Sequence, residues 1–96
     1  MFNNLTKSIE IGDMKLKNRM VQPAMGTNLA GADGTVSDSI VDYYTRRAEG
    51  GVGLIITEVC CPEPGGRVIP GELEASRHAF IPGLNRLATA AHAGGA

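Results

Sequence analysis

Two short apolar segments separated by one amphipathic helix impose the strongest constraint on how this chain can fold. Residues 20–25 and 53–59 are mostly apolar and do not alternate strictly, as expected for strands that are covered on both faces. Between them, Ser37 is placed to cap a helix that Gly50 ends. A strand, a helix and a second strand within about forty residues make a βαβ unit, whose strands are almost always parallel with a right-handed crossover. The predicted fold class is therefore α/β.

Further patterns on either side of this unit predict a hairpin and a second helix. Apolar and charged residues alternate across a turn at Gly12 and Asp13, which predicts a two-stranded hairpin with one buried face. The apolar positions of this hairpin are Ile9, Ile11, Met14 and Leu16. A second helix carries Pro82 in its first turn and ends at Gly94. Its inward-facing positions are Phe80, Leu84, Leu87, Ala88 and Ala91.

Each predicted strand is followed by a long segment that is rich in turn-forming residues. Residues 26–36 form the first loop, and the prolines and glycines of residues 60–73 predict a second loop without regular structure. In α/β proteins, long loops at the carboxyl ends of parallel strands are where ligands bind. Both loops are therefore expected on one binding face.

Composition argues against several classes of function. The 96 residues carry nine basic and ten acidic side chains that are mixed along the chain, so neither nucleic acid nor an anionic membrane is an expected partner. No secretion signal or membrane-spanning segment is evident, which predicts a cytoplasmic protein. No internal repeat or shift in composition marks a domain boundary, so the chain is expected to be one piece of one domain. No group of His, Cys and carboxylate residues has metal-ligand spacing, so no metal site is expected.

Three polar or reactive features leave alternatives open. The amides of residues 31–35 could hold an anion near a helix N-terminus, although a solvated loop is the commoner use of such a segment. Cys60 or Cys61 could touch a ligand, although a free cysteine is more often a small buried hydrophobe. Glu58, at the end of the second strand, could face a ligand, but a structural salt bridge is its more usual role.

Two stretches of the sequence resemble the old yellow enzyme family of NADH:flavin oxidoreductases and 2,4-dienoyl-CoA reductases. Residues 11–25 (IGDMKLKNRMVQPAM) are similar to the opening of that family, and residues 47–58 (RAEGGVGLIITE) to its passage from the first helix into the second strand. Gly66 and Arg67 resemble the loop that follows. The resemblance implies the N-terminal portion of a (β/α)8 TIM barrel: the bottom hairpin plus two βα units.

The resemblance also implies that FMN binds at the C-terminal face of the barrel. The positions that match the family's flavin contacts are Pro23, Ala24, Met25, Gly26, Thr27 and Val59. The first three would meet the edge of the isoalloxazine ring. Gly26 stands where many members have a Thr or Cys that tunes the flavin, and Thr27 is the candidate replacement. Val59 stands where the family has a smaller residue whose backbone approaches the flavin.

The implied activity is hydride transfer from NADH or NADPH, through FMN, to an activated alkene or enoyl compound. The catalytic residues of the family are expected after Ala96, so none is assigned here, and residues 1–96 are expected to be the N-terminal part of a single FMN-binding domain, truncated before its third strand. A 4Fe-4S cluster and FAD are expected only if a long downstream region exists, and the whole protein could be a homo-oligomer. Two alternatives remain: a small non-catalytic α/β module that binds an anion, and an inactive truncated product.

Overall fold

The computed structural model describes residues 2–96 and contains six short strands, two α-helices and one 3-10 turn. The helices are α1 (Asp38–Glu49) and α2 (Ile81–Ala93), and the 3-10 turn (His78–Phe80) leads directly into α2. The strands are β1 (Ile9–Ile11), β2 (Met14–Leu16), β3 (Val21–Gln22), β4 (Leu54–Ile55), β5 (Cys60–Cys61) and β6 (Leu73–Glu74).

The predicted βαβ unit is present. Strand β3 pairs with β4 in parallel, with Val21 opposite Leu54 and Gln22 opposite Ile55, and α1 connects the two strands. Both strands are shorter than the apolar segments that predicted them, because Pro23 has no N–H to continue the ladder after Gln22. The α/β prediction is confirmed at the level of this unit.

Helix α1 begins and ends as its sequence predicts. The Ser37 hydroxyl accepts a hydrogen bond from the Ile40 amide, which satisfies one of the free N–H groups of the first turn. The helix ends at Gly50, and Gly51 then adopts a φ of 107°, a conformation that residues with a Cβ rarely reach. Ile40, Tyr44 and Ala48 form its buried stripe.

The core lies between the two helices and the strands. Ile40, Tyr44, Leu73 and Leu87 are its buried members. Each large apolar side chain buried there stabilises the fold by roughly 1.5–3 kcal/mol. Gly94, at the end of α2, approaches α1 so closely that a Cβ on it would lie 2.5 Å from the Ala48 Cβ. The glycine that ends α2 therefore also allows the two helices to pack.

Several residues that the sequence places in a covered interior are exposed in the described chain. Ile55 packs on the helical core, but Val21 and Ile56, on the opposite face of the β3–β4 pair, are 46% and 49% exposed. In the hairpin, Leu16 is buried whereas Ile11 and Met14 are half exposed. The expectations of strands covered on both faces and of one buried hairpin face were therefore wrong here. The helices cover one face of the strands, and the tip of the hairpin projects beyond this layer, with no atom within 4 Å of a Cβ built on Gly12.

Two further expectations need correction. Ala88, predicted on the inward stripe of α2, is exposed and borders an open groove together with Tyr44 and Leu84. The segment 60–73 was expected to lack regular structure, yet its ends belong to the parallel pair formed by β5 and β6. The prolines and glycines that forbid strands all lie between these two ends, so the pair can close the base of the loop.

Asn18 joins the entrance of β3 to the entrance of β4. Its side chain is buried, its Nδ2 donates to the Gly51 carbonyl at 2.6 Å, and its Oδ1 accepts from the Met20 amide at 3.1 Å. A Cβ on Gly53 would lie 2.5 Å from Asn18 Oδ1, so a glycine is required beside this side chain. These two hydrogen bonds of the Asn18 side chain, which we call the Asn18 latch, fix the register of the β3–β4 pair at the point where both strands begin.

Replacement of Asn18 by Ala should therefore destabilise the protein. The change leaves the Gly51 carbonyl and the Met20 amide without their partner, and we expect the free energy of unfolding to fall by about 2 kcal/mol. Urea denaturation of Asn18→Ala measures this loss. Asn4→Ala is the control, because the Asn4 side chain is exposed and its loss should change stability by less than about 0.5 kcal/mol. Equal stability of the two variants would contradict the proposed latch.

Candidate binding site at the strand ends

The carboxyl ends of β3 and β4 carry the residues that the sequence marks as a ligand site. Because the strands are parallel, their carboxyl ends lie at the same edge of the sheet. We call the residues at this edge the strand-end platform, and they are Pro23, Ala24, Met25, Gly26, Thr27 and Val59. The structure brings the two segments into contact, since Thr27 hydrogen-bonds Glu58, the neighbour of Val59.

The platform combines apolar surface with free hydrogen-bond donors. Met25 and Val59 are 52% and 45% exposed. The amide N–H groups of Ala24, Met25 and Gly26 donate to no described residue, although the chain here runs beside another strand end. Such amides need an acceptor once they are removed from water. The platform can therefore offer consecutive donors and an apolar surface to a bound molecule.

Gly26 lies at the centre of the platform with space around it. A Cβ built on Gly26 would have Ile69 Cδ1 at 3.8 Å and Val59 Cγ1 at 4.0 Å as its nearest neighbours, which is ordinary van der Waals contact. The absence of a side chain at this position is therefore not a steric requirement of the described chain.

A buried carboxylate lies directly beneath the platform. Glu58 is 3% exposed, and its Oε1 and Oε2 each lie 2.8 Å from the Thr27 hydroxyl. The Thr27 amide donates to Oε1 at 3.2 Å, and the Tyr44 hydroxyl donates to Oε2 at 2.9 Å. The expectation of a salt bridge for Glu58 was wrong, because hydroxyl and amide donors from a loop and a helix satisfy it instead.

Sequence reasoning missed this cluster, although one feature pointed to it. Tyr44 lies on the buried stripe of α1, and a buried tyrosine hydroxyl usually needs a hydrogen-bond partner. Its partner is Glu58, fourteen positions away, which also donates its own amide to the Tyr44 oxygen at 2.8 Å. Burial, followed by the hydrogen bond to Glu58, raises the pKa of the Tyr44 phenol well above its usual value.

The two long loops are joined beside the platform, as predicted for a shared face. Asn28, with a φ of 60°, accepts a hydrogen bond on its Oδ1 from the Gly71 amide at 2.7 Å. The Ala30 amide donates to the Gly71 carbonyl at 3.1 Å. A Cβ on Gly71 would collide with the Asn28 carbonyl. These contacts hold the first loop against the second.

Arg67 forms a second link between the loops. Its guanidinium donates to the Ala32 carbonyl at 2.8 Å and to the Pro70 carbonyl at 3.2 Å. Its Nε lies 3.7 Å from Glu74 Oε1, and Glu74 Oε2 accepts from the Ser76 hydroxyl. The positive charge is therefore used to organise the loops.

The segment 31–35 uses most of its amides internally. The Gly31 amide donates to the Thr35 carbonyl, the Gly34 amide to the Gly31 carbonyl, and the Thr35 amide to Asp33 Oδ1. The hydroxyl of Thr35 also donates to Asp33, and this bond holds the pKa of the Asp33 carboxyl below its usual value. The Asp33 carboxylate takes both Thr35 donors and loop carbonyls take the Gly31 and Gly34 amides, which opposes binding of an external anion.

The two cysteines lie inside the fold at the base of the second loop. Cys61 is buried and its thiol donates to the Glu63 carbonyl at 3.0 Å, while Cys60 is half buried against the core. Burial raises the pKa of the Cys60 thiol, and the charges of neighbouring Cys61, Glu72 and Glu74 add to this effect. Both are therefore placed as small apolar residues at a strand end.

Residues 2–96 contain neither a candidate membrane span nor a candidate metal cluster. None of the helices there is long and apolar enough to cross a bilayer. Those residues also contain no group of three or more His, Cys, Asp or Glu side chains placed to hold a metal ion.

Comparison with known proteins matches nearly the whole chain. The family described as NADH:flavin oxidoreductase / NADH oxidase matches residues 4–96. The NADH oxidase of Thermoanaerobacter brockii is 44% identical over 96 residues, which cover 99% of this chain and 15% of that protein.

Solved structures agree with the sequence match. A 2-naphthoyl-CoA reductase in complex with 2-naphthoyl-CoA superposes with a TM-score of 0.96 at 34% identity, covering 100% of this chain and 15% of that one. The old yellow enzyme of Pichia sp. AKU4542 superposes with a TM-score of 0.88 at 29% identity, covering 97% of this chain and 24% of that one. The chain therefore spans between 15% and 24% of the length of these three proteins.

The raised pKa of Tyr44 predicts a loss of stability at alkaline pH. An unfolded tyrosine titrates near pH 10, whereas Tyr44 in the fold holds its proton to higher pH. Its contribution to stability is therefore complete below about pH 10 and falls as the pH rises above that value. Denaturation at a series of pH values should show a steeper alkaline decline for the wild type than for Tyr44→Phe. Tyr43→Phe, which leaves the Tyr44–Glu58 contact in place, should keep the wild-type slope; equal slopes in all three proteins would contradict the assignment.

Proposed function

Because the chain belongs to the NADH:flavin oxidoreductase / NADH oxidase family, we propose that the complete protein is an FMN-dependent oxidoreductase of the ene-reductase type. The strand-end platform carries this proposal: consecutive free amides and exposed apolar side chains at the carboxyl ends of two parallel strands. This is the face on which barrel enzymes assemble their active sites.

The fold of the chain is that of the first part of a TIM barrel. Its hairpin and two βα units superpose on TIM-barrel enzymes of the old yellow enzyme type, of which it covers 15–24%. We propose that residues 1–96 are the N-terminal part of a single FMN-binding domain and that a third strand follows them. A complete barrel of this kind needs about 250 residues.

The platform residues fit the ring system of FMN. A flavin has apolar faces and an edge of hydrogen-bond acceptors, and the platform offers the complementary groups. The amides of Ala24, Met25 and Gly26 would meet the acceptor edge, while Met25 and Val59 would cover apolar ring surface. Bound there, FMN would supply the redox chemistry for hydride transfer between NADH or NADPH and an activated alkene.

Within this site each part of the chain has a binding or positioning task. Pro23 ends the β3 ladder and so leaves the following amides unpaired. The Thr27 hydroxyl donates to Glu58, so Thr27 holds the platform in place. Its hydroxyl therefore does not replace the flavin-tuning Thr or Cys side chain that many family members carry at the position of Gly26. We assign no catalytic residue to residues 1–96, and the proton donor and substrate-carbonyl ligands belong to later parts of the barrel.

The relatives favour a complete protein that is much longer than a single barrel domain. The chain covers 15% of the relative to which it is 44% identical, but 28% of the NADPH dehydrogenase of Listeria monocytogenes, to which it is 32% identical. The greater likeness is to the longer protein. We propose that the complete protein is a long member of this kind, with room for a 4Fe-4S cluster and FAD after the barrel. Activated alkenes or enoyl compounds are its proposed substrates, and its proposed location is the cytoplasm.

The alternative of a small anion-binding module is less well supported. Three of the amides of residues 31–35, those of Gly31, Gly34 and Thr35, already donate to Asp33 or to loop carbonyls. The other alternative, an inactive truncated product, requires that translation end at Ala96.

The function is tested on the protein made by the natural coding frame that contains this chain. We expect the sequence after Ala96 to supply six further strand–helix units, and the purified protein to carry FMN and to oxidise NADH or NADPH with an α,β-unsaturated ketone as acceptor. Intact mass, the visible flavin spectrum and nicotinamide absorbance measure these properties. A complete protein that ends at Ala96, or that binds no flavin, would rule the proposal out.

Gly26 gives a second test, directed at the flavin itself. Gly26→Cys should fold normally, because a Cβ fits there without close contact. A thiol hydrogen bond that favours one redox state of the flavin by about 1 kcal/mol would shift a two-electron potential by roughly 20 mV. The midpoint potential of bound FMN measures the shift. Gly26→Ala adds the Cβ without the thiol and should shift the potential less; identical potentials in all three proteins would place Gly26 away from the flavin.

A further inference from the structure

The buried Glu58 carboxylate connects three elements that meet at the strand-end platform. It follows β4, its Oε1 and Oε2 accept from Thr27 in the loop after β3, and its Oε2 accepts from Tyr44 in α1. The Thr27 amide adds a further donor to Oε1. A single side chain therefore fixes the loop that carries Gly26 relative to the strand end that carries Val59.

The bonds between Glu58 and Tyr44 are reciprocal. The Tyr44 hydroxyl donates to Glu58 Oε2 at 2.9 Å and accepts from the Glu58 amide at 2.8 Å. Both the side chain and the backbone of Glu58 are thereby tied to a helix whose Tyr44 is 1% exposed. The rigid core thus determines where the carboxylate lies, and the carboxylate determines where Thr27 lies.

We propose that Glu58 is a positioning residue for the flavin: by holding Thr27 it fixes, beside Val59, the segment that carries the free amides of Ala24, Met25 and Gly26. The inference rests on the proposed function, since it takes FMN as the ligand of the platform. Glu58 is buried beneath the platform and acts through Thr27, without touching the ligand. Preorganised amides bind a ligand more tightly because less conformational entropy is lost on binding.

A second buried glutamate provides a matched control. Glu72 is 2% exposed, and one donor, the Val68 amide at 2.9 Å, reaches its Oε1. Glutamine can replace such a residue, because its carbonyl oxygen still accepts from the one amide. Glutamine cannot replace Glu58 in the same way, because donors reach both carboxylate oxygens and the glutamine NH2 group cannot accept from the hydroxyl at the second oxygen position.

The test compares Glu58→Gln with Glu72→Gln in the complete FMN-binding protein. For Glu58→Gln we expect the FMN dissociation constant to rise about tenfold, as for the loss of a charge-assisted hydrogen bond. We also expect the Thr27 amide of the flavin-free protein to exchange its hydrogen faster, and the visible circular dichroism of FMN at saturation to change. Glu72→Gln should leave all three measurements at the wild-type values.

Thr27→Val is the second variant, in case Glu58→Gln yields no folded protein. It removes the hydroxyl that donates to Glu58 and leaves the helical core unchanged, and it should weaken FMN binding to a similar extent. In the double variant the two effects should not add, because both remove the same contact. Additive effects would show that Thr27 acts on the flavin independently of Glu58 and would overturn the inference.

The remaining outcomes distinguish a failure of the proposed function from a failure of the positioning role of Glu58. Wild-type protein that binds no FMN would overturn the proposed function, whereas tight wild-type binding that Glu58→Gln retains would overturn only the positioning role. Equal losses of FMN affinity and melting temperature in Glu58→Gln and Glu72→Gln would reduce Glu58 to a general requirement for folding, which also overturns the inference.

Discussion

The parallel pairing of β3 with β4 is the interaction on which the rest of the structure depends. Parallel strands need a crossover, and here α1 provides it, so that both strand ends and both long loops lie at one edge. The ladder itself is only two residues long on each strand, which is too little to fix its own register. Register is supplied from outside the ladder, by Asn18 at the strand entrances and by Ile55 packed on the helical core. The binding face is therefore a consequence of contacts at the opposite end of the strands.

Buried carboxylates fix the conformation of the loops at this face but add little to the stability of the fold. Glu58, Glu72 and Glu74 are each at most 5% exposed, and each accepts hydrogen bonds from a loop residue. Among residues 2–96 no buried side-chain nitrogen or oxygen lacks a partner. Removing a carboxylate from water offsets most of what its hydrogen bonds contribute, so such groups add little net stability. What they contribute is a defined conformation for loops whose glycines would otherwise permit many conformations.

The sequence predicted those parts of the fold that local interactions determine. The Ser37 cap, the stripe of Ile40 and Tyr44, and the end of α1 at Gly50 all depend on residues within a few positions of one another. The placement of both long loops at one edge followed from the parallel pair and one general rule about strand ends, whereas Gly26 and Val59 were singled out by the family resemblance, and their contact with flavin stays a prediction. Long-range partners were not predictable in this way. Glu58 meets Tyr44 and Thr27 across separations of 14 and 31 residues, and β5 meets β6 across a loop whose composition suggested no strand at all.

The exposed side of the β3–β4 pair explains why the proposed FMN binding would be coupled to folding. The helices cover the side of Ile55, while Val21 and Ile56 on the other side, and Met25 and Val59 at its end, remain about half exposed. In a barrel that other side faces the interior, where side chains from further strands fill the space. The free platform amides lie at the end of the same strands. Later strands would therefore cover the exposed side of the pair, and a bound flavin would cover the adjacent strand ends. A ligand that binds only the folded state stabilises it. FMN would therefore stabilise the strand ends by giving acceptors to amides that the chain itself leaves unpaired.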